Sequence, residues 1–182
     1  MQPKVFCIGF HKTGTSTMGE VLRTLGYSWY NYRLNPAMVT QLSQSPPDYS
    51  LAQLATSVYD AFEDDPWPYL FRELDKWHPG SKFILTLREP AQWLHSVVNY
   101  FTNRDSVWRT HVYGHSVPQE SPDEYLSIYN QHTRAVLAYF KDRPGDLLVI
   151  DITKEPSWDK VCHFLGKSVP QVAFPHLNKT VL

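Results

Sequence analysis

Cysteine is nearly missing from this sequence: 182 residues contain Cys7 and Cys162 and no other thiol. Two cysteines make no disulfide framework, and one in an apolar run with one on an expected helix face read as buried, reduced thiols. A surplus of charge is missing as well. There are 17 basic and 18 acidic side chains, for a formal charge of −1. That balance excludes the broad basic surface that nucleic acid or an anionic membrane requires, so any anion site must be local. Long apolar runs are also lacking. The opening MQPKVFCIGF is too short for a signal or membrane helix, and no later segment can span. These absences predict a cytoplasmic protein with no membrane span and no nucleic-acid partner. Repeats, low-complexity stretches and linkers are absent too, so residues 1–182 are expected to form a single domain.

What remains is a globular composition, 42% apolar and 14% aromatic. Val5 to Ile8 reads as a buried strand, and Met18, Val21, Leu22 and Leu25 recur at helical spacing before Gly26. Short helices are expected over 37–43, 51–58 and 69–77. Residues 81–88, SKFILTLR, form the strongest strand signal, followed by a helix opening at Pro90. A long polar connection over 102–121 precedes a helix starting at Ser121-Pro122. DLLVID, 146–151, is another strand, and Trp158, Val161, Cys162 and Leu165 mark a last helix ending at Gly166. Strands alternating with helices predict an α/β fold with a mainly parallel central sheet. Residues 27–35 are aromatic and ambiguous, and 59–68 form an acidic, proline-broken segment.

Between the first strand and helix lies GFHKTGTST, residues 9–17. Strand, glycine loop and helix in that order make an anion cradle: backbone N–H groups converge at a helix N-terminus. Gly9 and Gly14 have the spacing of the nucleotide-triphosphatase loop G-x-x-x-x-G-K-S/T, yet Thr15 stands in the lysine position. The cation is Lys12, inside the loop, where an ammonium can neutralise charge on a leaving phosphate oxygen. The dinucleotide pattern G-x-G-x-x-G is absent, which argues against a nicotinamide site. A magnesium-dependent kinase would want the missing lysine and a strand-end acid, for which Asp151 has no other support.

K-T-G-T-S-T after an apolar strand resembles the phosphosulfate loop of sulfotransferases. FILTLREPAQWLHS adds the second family signature, Arg88 at a strand end and Ser96 eight residues later. DLLVIDITKEPSWDKVCHFLG and FPHLNKT extend the resemblance over most of the chain, Lys4 to Thr180, toward a compact bacterial-type branch. The resemblance implies a three-layer α/β/α phosphate-loop fold. It also implies transfer of a sulfuryl group from 3′-phosphoadenosine 5′-phosphosulfate (PAPS) to a hydroxyl or amine acceptor, with PAP as product and no metal. Lys12, Thr13, Gly14, Thr15, Ser16 and Thr17 would hold the 5′-phosphate. Arg88 and Ser96 would hold the 3′-phosphate, a bidentate guanidinium match. Asn178 and Lys179 would stand in for a C-terminal segment that cytosolic members use. Where those members carry a histidine to activate the acceptor, this chain has Asp64-Asp65-Pro66. A carboxylate serves if its environment raises its pKa. Asp64 is the first candidate, with Asp65 and Glu63 as alternatives and His11 as a donor to the sulfuryl group.

Each residue has a plainer reading. Lys12 would be an exposed loop lysine, Arg88 a structural partner of Glu89 or Asp151, Ser96 a solvated helix serine, and Asp64 part of an acidic turn. Trp67 and Trp93 would be packing rather than ligand walls, and His111 with His115 too isolated for a metal pair. Two rival functions follow: a small-molecule or nucleoside kinase using ATP with magnesium, and a non-catalytic PAP-binding module. Acceptor contacts are expected from 27–35, 59–70 and 102–121, whose aromatics do not select among phenol, sugar, lipid and peptide. An aromatic surface on so small a chain leaves a homodimer open.

Overall fold

A computed structural model describes residues 2–30, 35–102 and 104–177. Its centre is β1 (Val5–Cys7), whose three residues are all buried. Side chains alternate across a strand, and the chain exploits this. Val5 and Cys7 join one apolar cluster, while Phe6 and Ile8 join another on the opposite face. The same alternation divides Ala61 from Phe62 in β3 (Ala61–Phe62), and Ile84 from Phe83 and Leu85 in β4 (Lys82–Thr86). With β2 (Trp29–Tyr30) and β5 (Leu147–Ile150), these strands form a sheet in the order β2-β3-β1-β4-β5. Every strand pair is parallel.

Parallel strands need crossover connections, and helices supply them on both faces. On the Val5–Cys7 face, α1 (Thr15–Thr24) contributes Met18, Val21 and Leu22, and α8 (Trp158–Leu165) contributes Trp158, Val161 and Cys162. On the Phe6 face lie α2 (Pro36–Leu42), α3 (Ser50–Val58), α4 (Phe71–Trp77) and the longest helix, α7 (Pro122–Phe140). A third cluster sits at the edge of the first loop, where Phe10 packs with Trp93 and Val97 of α5 (Pro90–Tyr100), Tyr113 of α6 (Val107–Tyr113), and Tyr125 and Tyr129. The expected three-layer α/β/α architecture with a parallel sheet is therefore present. Both cysteines are buried and free.

Three segments differ from the sequence reading. The ambiguous stretch 27–35 contributes β2, and the acidic segment after Tyr59 begins with β3. Two-residue strands carry too little periodicity to be recognised alone; parallel pairing with neighbours defines them. The polar connection 102–121 contains α6, which Ser106 caps by accepting from the Arg109 amide at 3.3 Å.

The topology fixes where a ligand would go. From β1 the chain builds outward to β3 and β2 on one side and to β4 and β5 on the other. The crevice at such a switch point lies beyond the carboxyl ends of the strands. Residues 8–14, 63–66 and 87–89 leave β1, β3 and β4 there, bringing all three sequence motifs together.

Candidate active site

The loop after β1 is held by close backbone approach. A Cβ on Gly9 would lie 2.0 Å from the Thr86 Oγ1 and 2.3 Å from its carbonyl oxygen. Gly14 takes φ 98°, and a side chain there would also strike Ile152. No side chain caps α1. The amides of Gly14, Thr15 and Ser16 donate to no backbone carbonyl among the described residues. A concavity of unclaimed N–H groups thus opens at the helix N-terminus, the arrangement that binds an anion.

The hydroxyls of the loop have separate duties. Thr13 is fully buried; its hydroxyl donates to the Phe10 carbonyl at 2.6 Å and pairs with Thr86 at 2.6 Å. Its amide donates back to Phe10 as well. The side chain assigned from sequence to the donor is therefore turned into the sheet and braces the loop. The Thr15 side chain lies against the Glu63 carboxyl and pulls its pKa down, against the stronger effect of burial. The Thr17 hydroxyl accepts from the Leu177 amide at 3.1 Å, so the C-terminal segment reaches the start of α1. Ser16 is partly buried and its hydroxyl makes no hydrogen bond among the described residues. Asn178 and Lys179 lie outside the described residues.

Lys12 adopts φ 66°, an uncommon conformation for a residue with a side chain. Its Nζ lies 3.7 Å from the centre of the Tyr100 ring. Burial and the neighbouring Arg88 lower its pKa. The Arg88 Nη1 approaches the Lys12 carbonyl oxygen at 3.5 Å, while its buried Nε has no partner. Arg88 forms no ion pair among the described residues. Glu89 instead caps α5 by accepting from the Ala91 and Gln92 amides, and Asp151 faces Thr153 and Lys154. The structural-salt-bridge reading of Arg88 thus finds no support. Ser96 lies on the buried side of α5.

Two aromatic residues clamp these loops. The Tyr129 hydroxyl accepts from the Arg88 amide at 3.1 Å and donates to the Arg88 carbonyl at 2.7 Å. Its ring stacks on Trp93 at 4.3 Å, and the Trp93 Nε1 donates to the His11 carbonyl at 2.9 Å. On the other flank the His132 Nε2 bonds the Ile8 carbonyl at 2.8 Å, and burial pushes its pKa down to about 4. At neutral pH this imidazole is neutral and donates. Tyr129 and His132 are visible in the sequence only as members of an apolar stripe; nothing local marks them as braces of residues 41 and 124 positions upstream.

The acidic segment after β3 lies alongside. Asp64 has φ 64°, and the Asp65 Oδ2 is 3.5 Å from the His11 Nδ1. Burial, then the neighbouring carboxylate of Asp65, push Asp64 up to about 6; His11 and Lys12 pull the other way. Burial, then Asp64, push Glu63 up to about 8. A carboxyl titrating near 6 is ionised at neutral pH yet basic enough to take a proton. Trp67 and Trp93 are fully buried and belong to the core clusters. Phe10 and Tyr69 line a cavity of about 380 Å³ with Trp108 and His111, but Lys12, Arg88, Asp64 and Asp65 do not. His111 lies on α6 and His115 beyond the Gly114 that ends it.

A strand-end arginine, an uncapped helix N-terminus and neighbouring carboxyls share one crevice, and comparison with known proteins supplies a family. The family model described as the sulfotransferase domain matches residues 4–118 and 104–181. The chain belongs to that family. A curated relative, Ava biosynthesis cluster protein M from Aspergillus versicolor, is 26% identical over 211 residues, covering 96% of this chain and 80% of the relative. The crystal structure of a sulfotransferase from Alicyclobacillus acidocaldarius superposes with a TM-score of 0.59 at 17% identity. The match covers 94% of this chain and 84% of that one, and it supports the fold. Among the described residues, no helix is long and apolar enough to cross a membrane.

Proposed function

We propose that this chain, as a single domain, transfers a sulfuryl group from PAPS to a hydroxyl or amine acceptor by direct in-line displacement. The observation that carries this reading is an uncapped helix N-terminus preceded by Lys12, with the Arg88 guanidinium at the Lys12 carbonyl and neither cation in an ion pair among the described residues. The 5′-phosphate takes the amides of Gly14, Thr15 and Ser16, aided by the Ser16 hydroxyl. Thr13 and Thr17 support the loop rather than the ligand. Lys12 meets the bridging oxygen and stabilises the charge that develops there as the S–O bond breaks. Arg88 and Ser96 receive the 3′-phosphate. Asp64 accepts the acceptor's proton, with Asp65 orienting His11 beside it. Positioning and charge stabilisation carry most of the rate.

The test is thermal unfolding with PAP, ADP, and ATP with magnesium. A ligand at a hundred times its dissociation constant stabilises by about 2.7 kcal/mol, which for a chain of this size is a shift of roughly 5–10 °C. PAP is expected to stabilise and Arg88→Ala to abolish the shift. Stabilisation by ATP with magnesium, with nothing gained from a 3′-phosphate, would replace this reading with the kinase. PAP binding without transfer to any acceptor in a broad panel would leave the non-catalytic module.

A further inference from the structure

His11 is 4% exposed, and neither ring nitrogen has a hydrogen-bond partner among the described residues. Its surroundings explain why. The rings of Phe10, Trp93, Phe101 and Tyr113 stand around it, with centroids 5.0 to 6.2 Å away. They fix the imidazole but offer it no acceptor. Burying both nitrogens without a partner is costly, so something else completes them.

The open side is acidic. One ligand atom each from His11, Asp64 and Asp65 lie within 4.8 Å of one another. The Asp65 Oδ1 and the Glu63 Oε2 are themselves buried without partners. Glu63 and Asp64 form no ion pair among the described residues, and Asp65 has only His11. Lys12, the nearest candidate cation, turns its ammonium to the Tyr100 ring. Two carboxylates therefore converge on one imidazole, with Glu63 next to them in sequence, and no lysine or arginine forms an ion pair with any of the three among the described residues.

We infer that His11, Asp64 and Asp65 form a site for one divalent transition-metal ion of the zinc or manganese class. One nitrogen and two carboxylate oxygens suit that class; the imidazole disfavours magnesium and calcium, which prefer oxygen alone. Ligands on one ion at bonds of about 2.0–2.2 Å lie at most about 4.4 Å apart. A small closure of the observed triangle therefore completes the site. Glu63 adds negative charge beside it. The ion would satisfy the imidazole and offset the carboxylates in one step. It would also take Asp64 away from the acceptor's proton, so metal occupancy and sulfuryl transfer compete. That consequence, unlike the site itself, rests on the function proposed above.

The experiment is calorimetric titration of chelator-stripped protein with zinc chloride and manganese chloride, with cobalt absorption as a spectroscopic reading on the unaltered chain. One ion per chain is expected, with a visible cobalt band that zinc displaces. His11→Ala and the nearly isosteric Asp65→Asn are expected to weaken binding at least tenfold, on the order of what even supporting residues of metal sites contribute. His111→Ala, which removes an exposed imidazole, is expected to leave binding unchanged. No cobalt band at saturation overturns the site. So does binding that survives in folded His11→Ala and Asp65→Asn, or that disappears with His111→Ala. These readings need no turnover, so the metal site and sulfuryl transfer fail separately. If transfer is established, zinc is expected to suppress it and a chelator to restore it.

Discussion

Glu63→Gln isolates the charge stored after β3. Burial and the Asp64 carboxylate raise the Glu63 pKa from 4.5 to about 8 in the folded chain. In the unfolded chain the group titrates near its ordinary value. Between those two pH values the native state binds the proton more tightly than the unfolded state. Stability contributed by this proton is therefore full below about 4.5 and is lost as pH rises toward 8. At about 1.4 kcal/mol per unit, a shift of that size sets an upper bound of about 5 kcal/mol. Asp64 and Asp65 share the repulsion, and an amide nitrogen in the same place needs a partner at a cost of about 1–3 kcal/mol. The net expectation is that Glu63→Gln is more stable than wild type at pH 8.5 by on the order of 2 kcal/mol, and equal or less stable at pH 5. Urea unfolding from pH 5 to pH 9, with chelator present, measures both curves. Parallel curves across that range would refute the reasoning, because the wild-type loss would then belong to other groups.

Asp64→Asn is expected to lower turnover by about a hundredfold or more. It should also remove the acid limb expected of wild type near pH 6, since protonation of Asp64 silences the base. Asparagine tolerates the positive φ, so the backbone is kept; persistence of the acid limb would move the role to Asp65. Gly9→Ala pushes a methyl into the Thr86 hydroxyl and carbonyl. It is expected to destabilise the chain by at least about 3 kcal/mol and to abolish PAP binding. A melting temperature within a degree of wild type would contradict the close approach of these two strands.

Much of the candidate site was legible in the sequence itself. The loop 9–17, Arg88 at a strand end and Ser96 on the following helix are local patterns, and each rests on chemistry that needs those residue types in that order. The main strands and the longer helices were legible for a similar reason. An apolar run or a 3.6-residue stripe records one face's burial in the chain itself, as in Val5–Cys7 and in Met18, Val21 and Leu22. Capping chemistry likewise announced Pro90, Pro122 and Gly166.

Other features belong to the tertiary structure alone. Strands β2 and β3 are too short to carry a period and exist because parallel neighbours pair with them. That Thr13 faces Thr86, and that Tyr129 and Trp93 tie Arg88 and His11 in place, depends on contacts between segments far apart in sequence. The meeting of His11 with Asp64 and Asp65 is of the same kind. Residue types and local spacing determined which groups could act on a phosphate or a proton. Burial and charge proximity, which shift Glu63 to about 8 and Asp64 to about 6, arise only when β1 and β3 lie side by side. Sequence order carries no measure of that distance.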